Sequence, residues 1–380
     1  MWSPDATRGY DAWKAYLDVF DEVTVLARGR YLSEPPNGWI RVCGPGVRAS
    51  SVPHFRGPWQ LAVRYLPVKK AIREALLRNR AISMRLPATL SQLVWSCVKV
   101  GRTYGVHVTG DPFAALAPGL HTDLSRPLFR RLYAQRLLRQ SAGACAVAYV
   151  TSESLQKTYP PPPGVFSTHF SNALLPHAAY VPSARAIRSI QNRFKVVMVG
   201  SLAHLIKGPD VLIESVGLCV RQGLNVVAVI VGDGMYRARM EARSSTLGLK
   251  DRVSFTGQLC SADEVRARLD DSDLFVLPSK TEGLPRAMLE AMARALPCIG
   301  TAVGGIPELL DAEDLVEPGD ARSLARKILD VSSNPERLAT MSARCLHKAR
   351  TYCDADVRQR RNAYCQALRQ ATERTLSMSA

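Results

Sequence analysis

Residues 277–310, LPSKTEGLPRAMLEAMARALPCIGTAVGGIPELL, contain two strand–loop–helix units in immediate succession. The apolar run at residues 273–277 predicts a buried strand, and Pro285 lies where a helix favours proline, in its first turn. The short run at residues 297–300 predicts a second strand, and the glycine pair that begins at Gly304 separates it from another helix start. Strands in this arrangement are parallel and end at one edge of a sheet. The backbone N–H groups of both helix starts would therefore point to that edge.

Two carboxylates accompany the first unit. Glu282 precedes the predicted helix, and Glu290 lies seven positions after Gly283, which is about two helical turns at roughly 3.6 residues per turn. The pair is spaced to hold different hydroxyl groups of a long polar ligand. An alternative stays open, in which Glu282 only caps the helix and Glu290 only pairs with Arg286 or Arg294, four residues away on either side.

Five sequence elements occur in a fixed order between residues 199 and 308. They are VGSL at 199–202 with Lys207-Gly208 after it, VGDG at 231–234, the Glu282/Glu290 pair, and GGIPE at 304–308. Together they resemble the donor-binding elements of retaining nucleotide-sugar glycosyltransferases, specifically glycosyltransferase family 4. The resemblance implies an α/β chain with the GT-B fold, in which two doubly wound Rossmann-like domains face a central cleft.

The resemblance also implies a role for each matched position. Glu290 would bind the ribose hydroxyls, Glu282 would hold the donor sugar at the reacting carbon, and Lys207 would reach the diphosphate. The donor-binding residues implied are Gly200, Ser201, Lys207, Gly283, Leu284, Pro285, Glu290, Gly304 and Gly305. The implied reaction is a front-face displacement with retention, in which the leaving phosphate helps to deprotonate the acceptor. No cofactor and no metal are expected, since cations and N–H groups would stabilise the leaving group.

One position departs from the family pattern. The family usually carries an arginine six residues before the lysine, and this chain has Ser201 there. One of two cations for the diphosphate is therefore replaced by a hydroxyl group. Arg286 and Lys280 are the candidates to compensate for it.

The first half of the chain alternates predicted strands and helices, which is typical of a parallel sheet. A strand predicted at residues 104–109 carries His107 and is followed by Asp111. Relatives of the resembled family supply a histidine near the donor sugar from this domain, so both residues are assigned to the catalytic site. Strand alternation leaves open that His107 is simply buried.

The length of 380 residues favours two domains. We predict an N-terminal acceptor-side domain at 1–175, a linker at 176–193, a nucleotide-sugar domain at 194–352, and a final helix at 353–380 that crosses back to the first domain. The first strand and glycine loop expected ahead of the helix at residues 11–20 are not recognisable. Their absence would follow from a misplaced start, a truncated gene or divergence.

Charge is distributed unevenly along the chain. Residues 1–190 contain 24 Lys and Arg against 10 Asp and Glu, a net +14, and the rest of the chain carries +3 of the total +17. Part of the excess lies in a predicted helix at residues 58–80. A solvated face explains such a run, but so does an anionic membrane surface or a lipid pyrophosphate. RNA-binding and zinc-finger motifs are not recognisable, so nucleic acid is not an expected partner.

Apolar residues make up 47% of the chain, yet no uncharged apolar run of about 18 residues predicts a membrane span. Nine cysteines without CxxC spacing suggest buried thiols in a reducing cytoplasm. We therefore expect a cytoplasmic protein, in peripheral contact with the inner face of the plasma membrane if the basic half binds anionic lipid.

The function expected from the sequence is hexosyl transfer, with retention, from a nucleoside diphosphate to a glycan or lipid-linked glycan in polysaccharide synthesis. Two alternatives stay open. One is another GT-B activity, such as a nucleotide-sugar epimerase or hydrolase. The other is a non-catalytic nucleotide-sugar-binding relic, which Ser201 and the unrecognised first strand would explain.

Overall fold

The computed structural model describes residues 1–3, 9–30, 34–35, 39–55, 57–98, 101–115, 126–173, 175–186, 193–259 and 261–378, with the backbone alone at 115 and 126–129. The chain forms two compact units. The first comprises Met1–Gly110, Leu132–Phe170 and Val357–Ala380, and the second comprises Asp111–Arg131 and Ser171–Asp356. The first division thus falls after Phe170 rather than after residue 175.

The N-terminal half contains eight strands and seven helices in the described residues. The strands are β1 Trp2–Ser3, β2 Val23–Gly29, β3 Ile40–Arg41, β4 Val47–Pro53, β5 Ser83–Leu86, β6 Gly105–Val108, β7 Ala146–Tyr149 and β8 Phe166–His169. The helices are α1 Tyr10–Lys14, α2 Gly57–Val63, α3 Tyr65–Arg78, α4 Thr89–Cys97, α5 Pro112–Ala115, α6 Arg126–Ala142 and α7 Ser154–Thr158, with a 3₁₀ turn at Ala15–Asp18.

These strands form a parallel sheet in the order β5-β6-β7-β8, a separate parallel pair of β2 with β4, and an antiparallel pair of β1 with β3. The sequence did not predict β4, because Ser50-Ser51 and Pro53 interrupt the apolar alternation of its run VRASSVP. The short strand β1 lies ahead of α1, and residues 4–8, part of the region where a first strand was sought, lie outside the described residues.

The single helix predicted at residues 58–80 is in fact two helices, α2 and α3, which meet at Arg64. Pro67 explains the break. Its ring nitrogen has no proton for the carbonyl of Val63, four residues back, and its ring crowds that carbonyl. The backbone at Arg64 accordingly leaves the helical range, with φ −101° and ψ 11°.

The C-terminal half contains strands β9 to β14, in the order β11-β10-β9-β12-β13-β14, with every neighbouring pair parallel. The strands are β9 Phe194–Val199, β10 Val226–Val231, β11 Val253–Gly257, β12 Leu274–Leu277, β13 Cys298–Thr301 and β14 Leu315–Val316. The helices are α8 Pro209–Arg221, α9 Arg237–Thr246, α10 Ala262–Asp270, α11 Arg286–Ala293, α12 Ala321–Ser332, α13 Pro335–Arg350 and α14 Asp354–Ser377. Further 3₁₀ turns lie at His177–Ala179, Leu205–Lys207, Ile306–Glu308 and Ala312–Asp314.

Each unit has its own core. In the second unit, β9, β10 and β12 bury Val196, Met198, Ile230 and Val276 among apolar residues of α8 and α12. In the first unit, α14 buries its apolar face, including Tyr364, against the strand β7 and Phe170. Tyr364 also shares a hydrogen bond of 2.8 Å with Ser83 of β5 through their hydroxyl groups.

The segment predicted as a linker is partly an integral piece of the second unit. Arg185 donates hydrogen bonds to the carbonyl oxygens of Ser272 (2.5 Å), Leu269 (2.8 Å) and Arg294 (3.0 Å), and its backbone N–H donates to Ser342 Oγ (2.9 Å). A guanidinium with three carbonyl acceptors fixes the chain that carries it. The predicted linker at residues 176–193 therefore includes residues, Arg185 among them, that belong to the second unit. Residues 187–192 lie outside the described residues.

Candidate active site

The order of the second sheet determines where its loops meet. From β9 the chain proceeds to β10 and β11 on one side, and β12 pairs on the other side of β9 before the chain continues to β13. At the carboxyl ends of β9 and β12, the loops that follow these two strands therefore lead away from each other, to opposite sides of the sheet. Parallel α/β sheets bind ligands at such a switch point.

The loop after β9 is held against the end of β12. Gly208 adopts φ +71°, and a Cβ added there would overlap the carbonyl oxygen of Pro278. The N–H of Lys280 donates to the carbonyl of Ile206 at 2.7 Å. Only glycine permits both this φ and this approach, so Gly208 fixes the place of Lys207 beside β12.

Lys207 and Glu282, assigned to the donor from two separate motifs, are in direct contact. Lys207 Nζ lies 2.5 Å from Glu282 Oε1, and Ser279 Oγ donates to the same oxygen at 2.6 Å. The Glu282 side chain is buried, and that of Lys207 is partly exposed. The carboxylate is thus oriented by one cation and one hydroxyl group.

A further hydroxyl group extends this network inward. Thr301, at the end of β13, is buried and donates its Oγ1 proton to the carbonyl oxygen of Ser279 at 2.6 Å. Ser279 is itself fully buried. The sequence analysis did not single out either residue, since an isolated serine or threonine at a strand end has no distinguishing period.

The glycine pair lies on the backbone next to Glu282. Gly304 adopts φ +54°, and a Cβ there would overlap the carbonyl oxygen of Glu282. The N–H of Gly305 donates to the carbonyl of Gly283 at 2.7 Å. The pair therefore allows a close approach of backbone to backbone, and the approach to a diphosphate stays a prediction.

Helix α11 starts one residue later than expected, with Pro285 as the N-cap residue and no side chain capping its first turn. Glu282 is therefore not a helix cap. The first N–H groups of an α-helix have no helical carbonyl to bond, so those from Arg286 onward can bind an anion.

Glu290 lies in the middle of α11 and is half-buried. Burial raises the pKa of its carboxyl group above the usual value, and the charges of Arg286 and Arg266 oppose that shift. Arg294, the alternative partner, instead binds both carboxylate oxygens of Asp270, at 2.8 and 2.7 Å.

Ser201 stands where the family pattern has an arginine, and its surroundings and those of the two candidate cations are as follows. Ser201 is exposed, and its Oγ accepts a hydrogen bond from the N–H of Ala203 at 3.2 Å. Lys280 Nζ is engaged with Asp210 Oδ2 at 3.2 Å. The charge of Arg286 acts on Glu290, and compensation for Ser201 by either residue stays a prediction.

His107 and Asp111 lie away from this cluster in the chain. The His107 ring is buried in the first unit, and its centroid lies 4.4 Å from the centroid of the Phe170 ring. Burial and the nearby Arg85 lower the pKa of His107 to about 3, so the ring is neutral at physiological pH. Asp111 Oδ1 accepts a hydrogen bond from the N–H of Phe113 at 2.8 Å, in the first turn of α5. The two assignments to the catalytic site stay predictions.

Within the described residues, no group of three or more His, Cys, Asp or Glu is arranged to hold a metal ion. None of the described helices is both long enough and apolar enough to cross a membrane.

Residues 183–347, which include this cluster, match the family model of glycosyl transferases group 1. CapJ of Staphylococcus aureus is 25% identical over 320 residues, which cover 83% of this chain and 78% of CapJ. The putative colanic acid biosynthesis glycosyltransferase WcaL of Escherichia coli (strain K12) is 34% identical over 176 residues, which cover 44% of this chain and 43% of WcaL. The chain thus spans most of CapJ and less than half of WcaL.

Two solved structures are similar over nearly the whole chain. Sucrose-phosphate synthase from Thermosynechococcus elongatus has a TM-score of 0.72 at 17% identity. The superposition covers 97% of this chain and 92% of the synthase chain. Alr3699/HepE from Anabaena, solved with UDP-glucose, has a TM-score of 0.62 at 18% identity, with 94% and 100% covered. At these identities the likeness shows the fold, which is GT-B with two Rossmann-like α/β domains.

Proposed function

We propose a specific reaction for this transferase, whose residues 183–347 match the family model of glycosyl transferases group 1 and whose fold is GT-B. It transfers a hexose from a nucleoside diphosphate sugar, with retention, to a glycan or lipid-linked glycan in polysaccharide synthesis. The observation that carries the proposal is the contact between Lys207 and Glu282 at the sheet's switch point. Two relatives support it by name, WcaL as a colanic acid biosynthesis glycosyltransferase and AmsK of Erwinia amylovora as an amylovoran biosynthesis glycosyltransferase.

The diphosphate would lie between Lys207 and the N-terminus of α11. Lys207 is partly exposed, so its ammonium group can bind a phosphate oxygen while it stays near Glu282. The N–H groups at the helix start add positive potential along the same edge. As the bond to the sugar breaks, charge develops on the phosphate, and both groups stabilise it more strongly than in the bound substrate.

Glu282 would orient the donor sugar. An ionised carboxylate has several acceptor sites, and Lys207 and Ser279 both engage Oε1, which leaves Oε2 for sugar hydroxyl groups. Glu282 is not assigned as a nucleophile. The leaving phosphate accepts the proton of the acceptor hydroxyl in the proposed front-face displacement.

Glu290 would bind the ribose hydroxyl groups, because it is half-buried in α11, the helix whose start lies next to Glu282. The Anabaena neighbour was solved with UDP-glucose, so uridine is the base to test first. We also propose that transfer needs no metal ion, because Lys207 and the helix start supply the positive charge. Activity that persists in EDTA would support this, and restoration by Mg²⁺ after EDTA would contradict it.

Turnover with and without an acceptor tests the proposed reaction. Full-length protein is incubated with UDP-glucose and a panel of oligosaccharides and lipid pyrophosphate-linked sugars, and released UDP is measured. Release that depends on an acceptor, and that falls in Glu282→Gln, supports transfer. Equal release without an acceptor would indicate a hydrolase, and tight binding without any turnover would indicate a non-catalytic relic.

A further inference from the structure

The helices α2 and α3 carry most of the strongly exposed large apolar side chains among the described residues. Six large apolar side chains are at least three-quarters exposed in the part of the chain that the structure describes, and four of them lie between residues 57 and 78. These are Trp59 (85%), Val63 (84%), Leu66 (75%) and Leu77 (77%). Such a concentration in 22 residues calls for a partner that covers it.

Helix α3 is two-faced. Val68, Ile72, Ala75 and Leu76 are buried toward the body of the first unit. Leu66, Lys70, Arg73 and Leu77 follow the spacing i, i+4, i+7, i+11 and are all exposed. The outward stripe therefore has two cations between two apolar side chains.

Helix α2 extends the same surface. It has no buried residue, and Trp59 and Val63 are four positions apart, on one face. A short helix that buries none of its apolar side chains gains little from packing in water. Its Trp59 side chain combines an apolar body with one polar N–H group, as is typical of residues at a membrane–water interface.

Charge selects the kind of partner. Residues 57–78 contain five basic side chains and one acidic one, Glu74, which is exposed on the flank of the stripe. Lys69 Nζ lies 5.4 Å from the centroid of the Tyr65 ring, so a cation stands beside an aromatic side chain here as well. Apolar and aromatic side chains interleaved with cations suit a lipid surface that is apolar beneath and anionic above.

We infer that α2 and the outward stripe of α3 form a docking surface for an anionic lipid bilayer. Trp59, Val63 and Leu66 insert at the level of the headgroups, and Lys70 and Arg73 contact lipid phosphates. This inference concerns the first unit alone and does not depend on the proposed reaction.

Sedimentation of the full-length protein with vesicles tests the inference. One set contains equal parts of phosphatidylglycerol and phosphatidylcholine, and the other contains phosphatidylcholine alone. Wild type should bind the first set more strongly, and raised salt should weaken that binding. Lys70→Gln with Arg73→Gln should reduce binding roughly 25-fold, from about 1 kcal/mol per basic residue at the surface. Trp59→Ser with Leu66→Ser should reduce it at least about tenfold at unchanged net charge.

Met235→Ser is the matched control, because Met235 is 80% exposed and lies in the second unit. It should bind vesicles as wild type does, and all variants should keep the melting temperature and UDP affinity of wild type. Wild-type protein that does not distinguish the two vesicle sets at low salt would overturn the inference. So would unchanged binding by the Trp59/Leu66 variant, or a wild-type dimer in light scattering that this variant dissociates, since a second copy would then cover the surface.

Discussion

The ammonium nitrogen of Lys207 lies 2.5 Å from Oε1 of Glu282, although 75 positions separate the two residues in the chain. One residue follows β9 and the other follows β12, so their contact depends on the pairing of these two strands. The contact also joins the two groups to which we assign the diphosphate and the donor sugar. Changes at either residue should therefore affect both stability and ligand binding.

Lys207→Met should weaken binding of nucleoside diphosphate and lower the free energy of unfolding. It removes a hydrogen bond to a charged phosphate, worth roughly 1.5–3 kcal/mol or about 10- to 150-fold in affinity, and leaves the buried Glu282 without its cation. Calorimetry with UDP and urea unfolding measure the two effects. Lys195→Met is the control, because Lys195 pairs with the exposed Asp271 at 2.8 Å on the same sheet and should change neither quantity appreciably.

Ser279→Ala should lower kcat and leave UDP affinity nearly unchanged. Ser279 orients the carboxylate that holds the sugar, and a single hydrogen bond is worth about 0.5–1.5 kcal/mol, or roughly two- to twelvefold in rate. Ser215→Ala removes an equally buried hydroxyl group between α8 and the start of α12, and it should affect stability alone. Equal losses of kcat in both variants would show that Ser279 is only structural.

Glu290→Gln should stabilise the protein at neutral pH and weaken donor binding by about tenfold, or 1.4 kcal/mol. Burial raises the pKa of Glu290 in the native state, so the unfolded state ionises more readily and the native state bears a cost above that pKa. The stability difference between variant and wild type should disappear as pH falls below the unfolded pKa of glutamate. Urea unfolding across pH measures this, with Glu241→Gln as the control at a half-exposed carboxylate that pairs with Arg237.

The affinity of wild-type protein for the donor should depend on pH through the ionisation of Glu290. If ionised Glu290 accepts the ribose hydroxyl groups, affinity is present above its raised pKa and declines as pH falls through it, at a higher pH than for an ordinary glutamate. In Glu290→Gln this pH dependence should be absent. A profile shared by both proteins would assign the titration to another group.

Ser201→Arg should tighten UDP binding, by about 1–3 kcal/mol if the guanidinium reaches a phosphate oxygen. Ser201 is exposed beside the loop that carries Lys207, so a longer side chain has room there. Ser201→Gln, of similar reach and without charge, is the control. Weaker binding in Ser201→Arg would show that the phosphate site is misassigned.

The sequence predicted the second sheet well because its strands are short, strongly apolar runs between glycine and proline signals. The strands predicted at residues 273–277 and 297–300 agree with β12 and β13 to within one residue at each end. Predictions failed where local signals conflict with tertiary structure. Strand β4 has an interrupted apolar alternation and was missed, and Pro67 divides the helix predicted at residues 58–80.

The site was predicted only as far as its motifs reach. The resemblance to the family pointed to Lys207, Glu282 and Glu290, and the neighbouring glycine and proline signals placed the first two in loops that follow strands. The ion pair between Lys207 and Glu282 and the hydroxyl groups of Ser279 and Thr301 arise from strand pairing, which no local pattern encodes. Arg185 was likewise taken for linker, since its acceptors are backbone carbonyls distant in sequence.

The central claim is that the switch point of the second sheet binds a nucleoside diphosphate through Lys207. A thermal unfolding titration of full-length protein with UDP, GDP and ADP, and with their glucose conjugates, tests it most directly. We predict that one nucleotide stabilises wild type by about 2.7 kcal/mol at 100 times its Kd, and that Lys207→Met requires at least about tenfold more of it. Stabilisation of Lys207→Met at the wild-type concentration, or no stabilisation of wild type by any of these nucleotides, would contradict the claim.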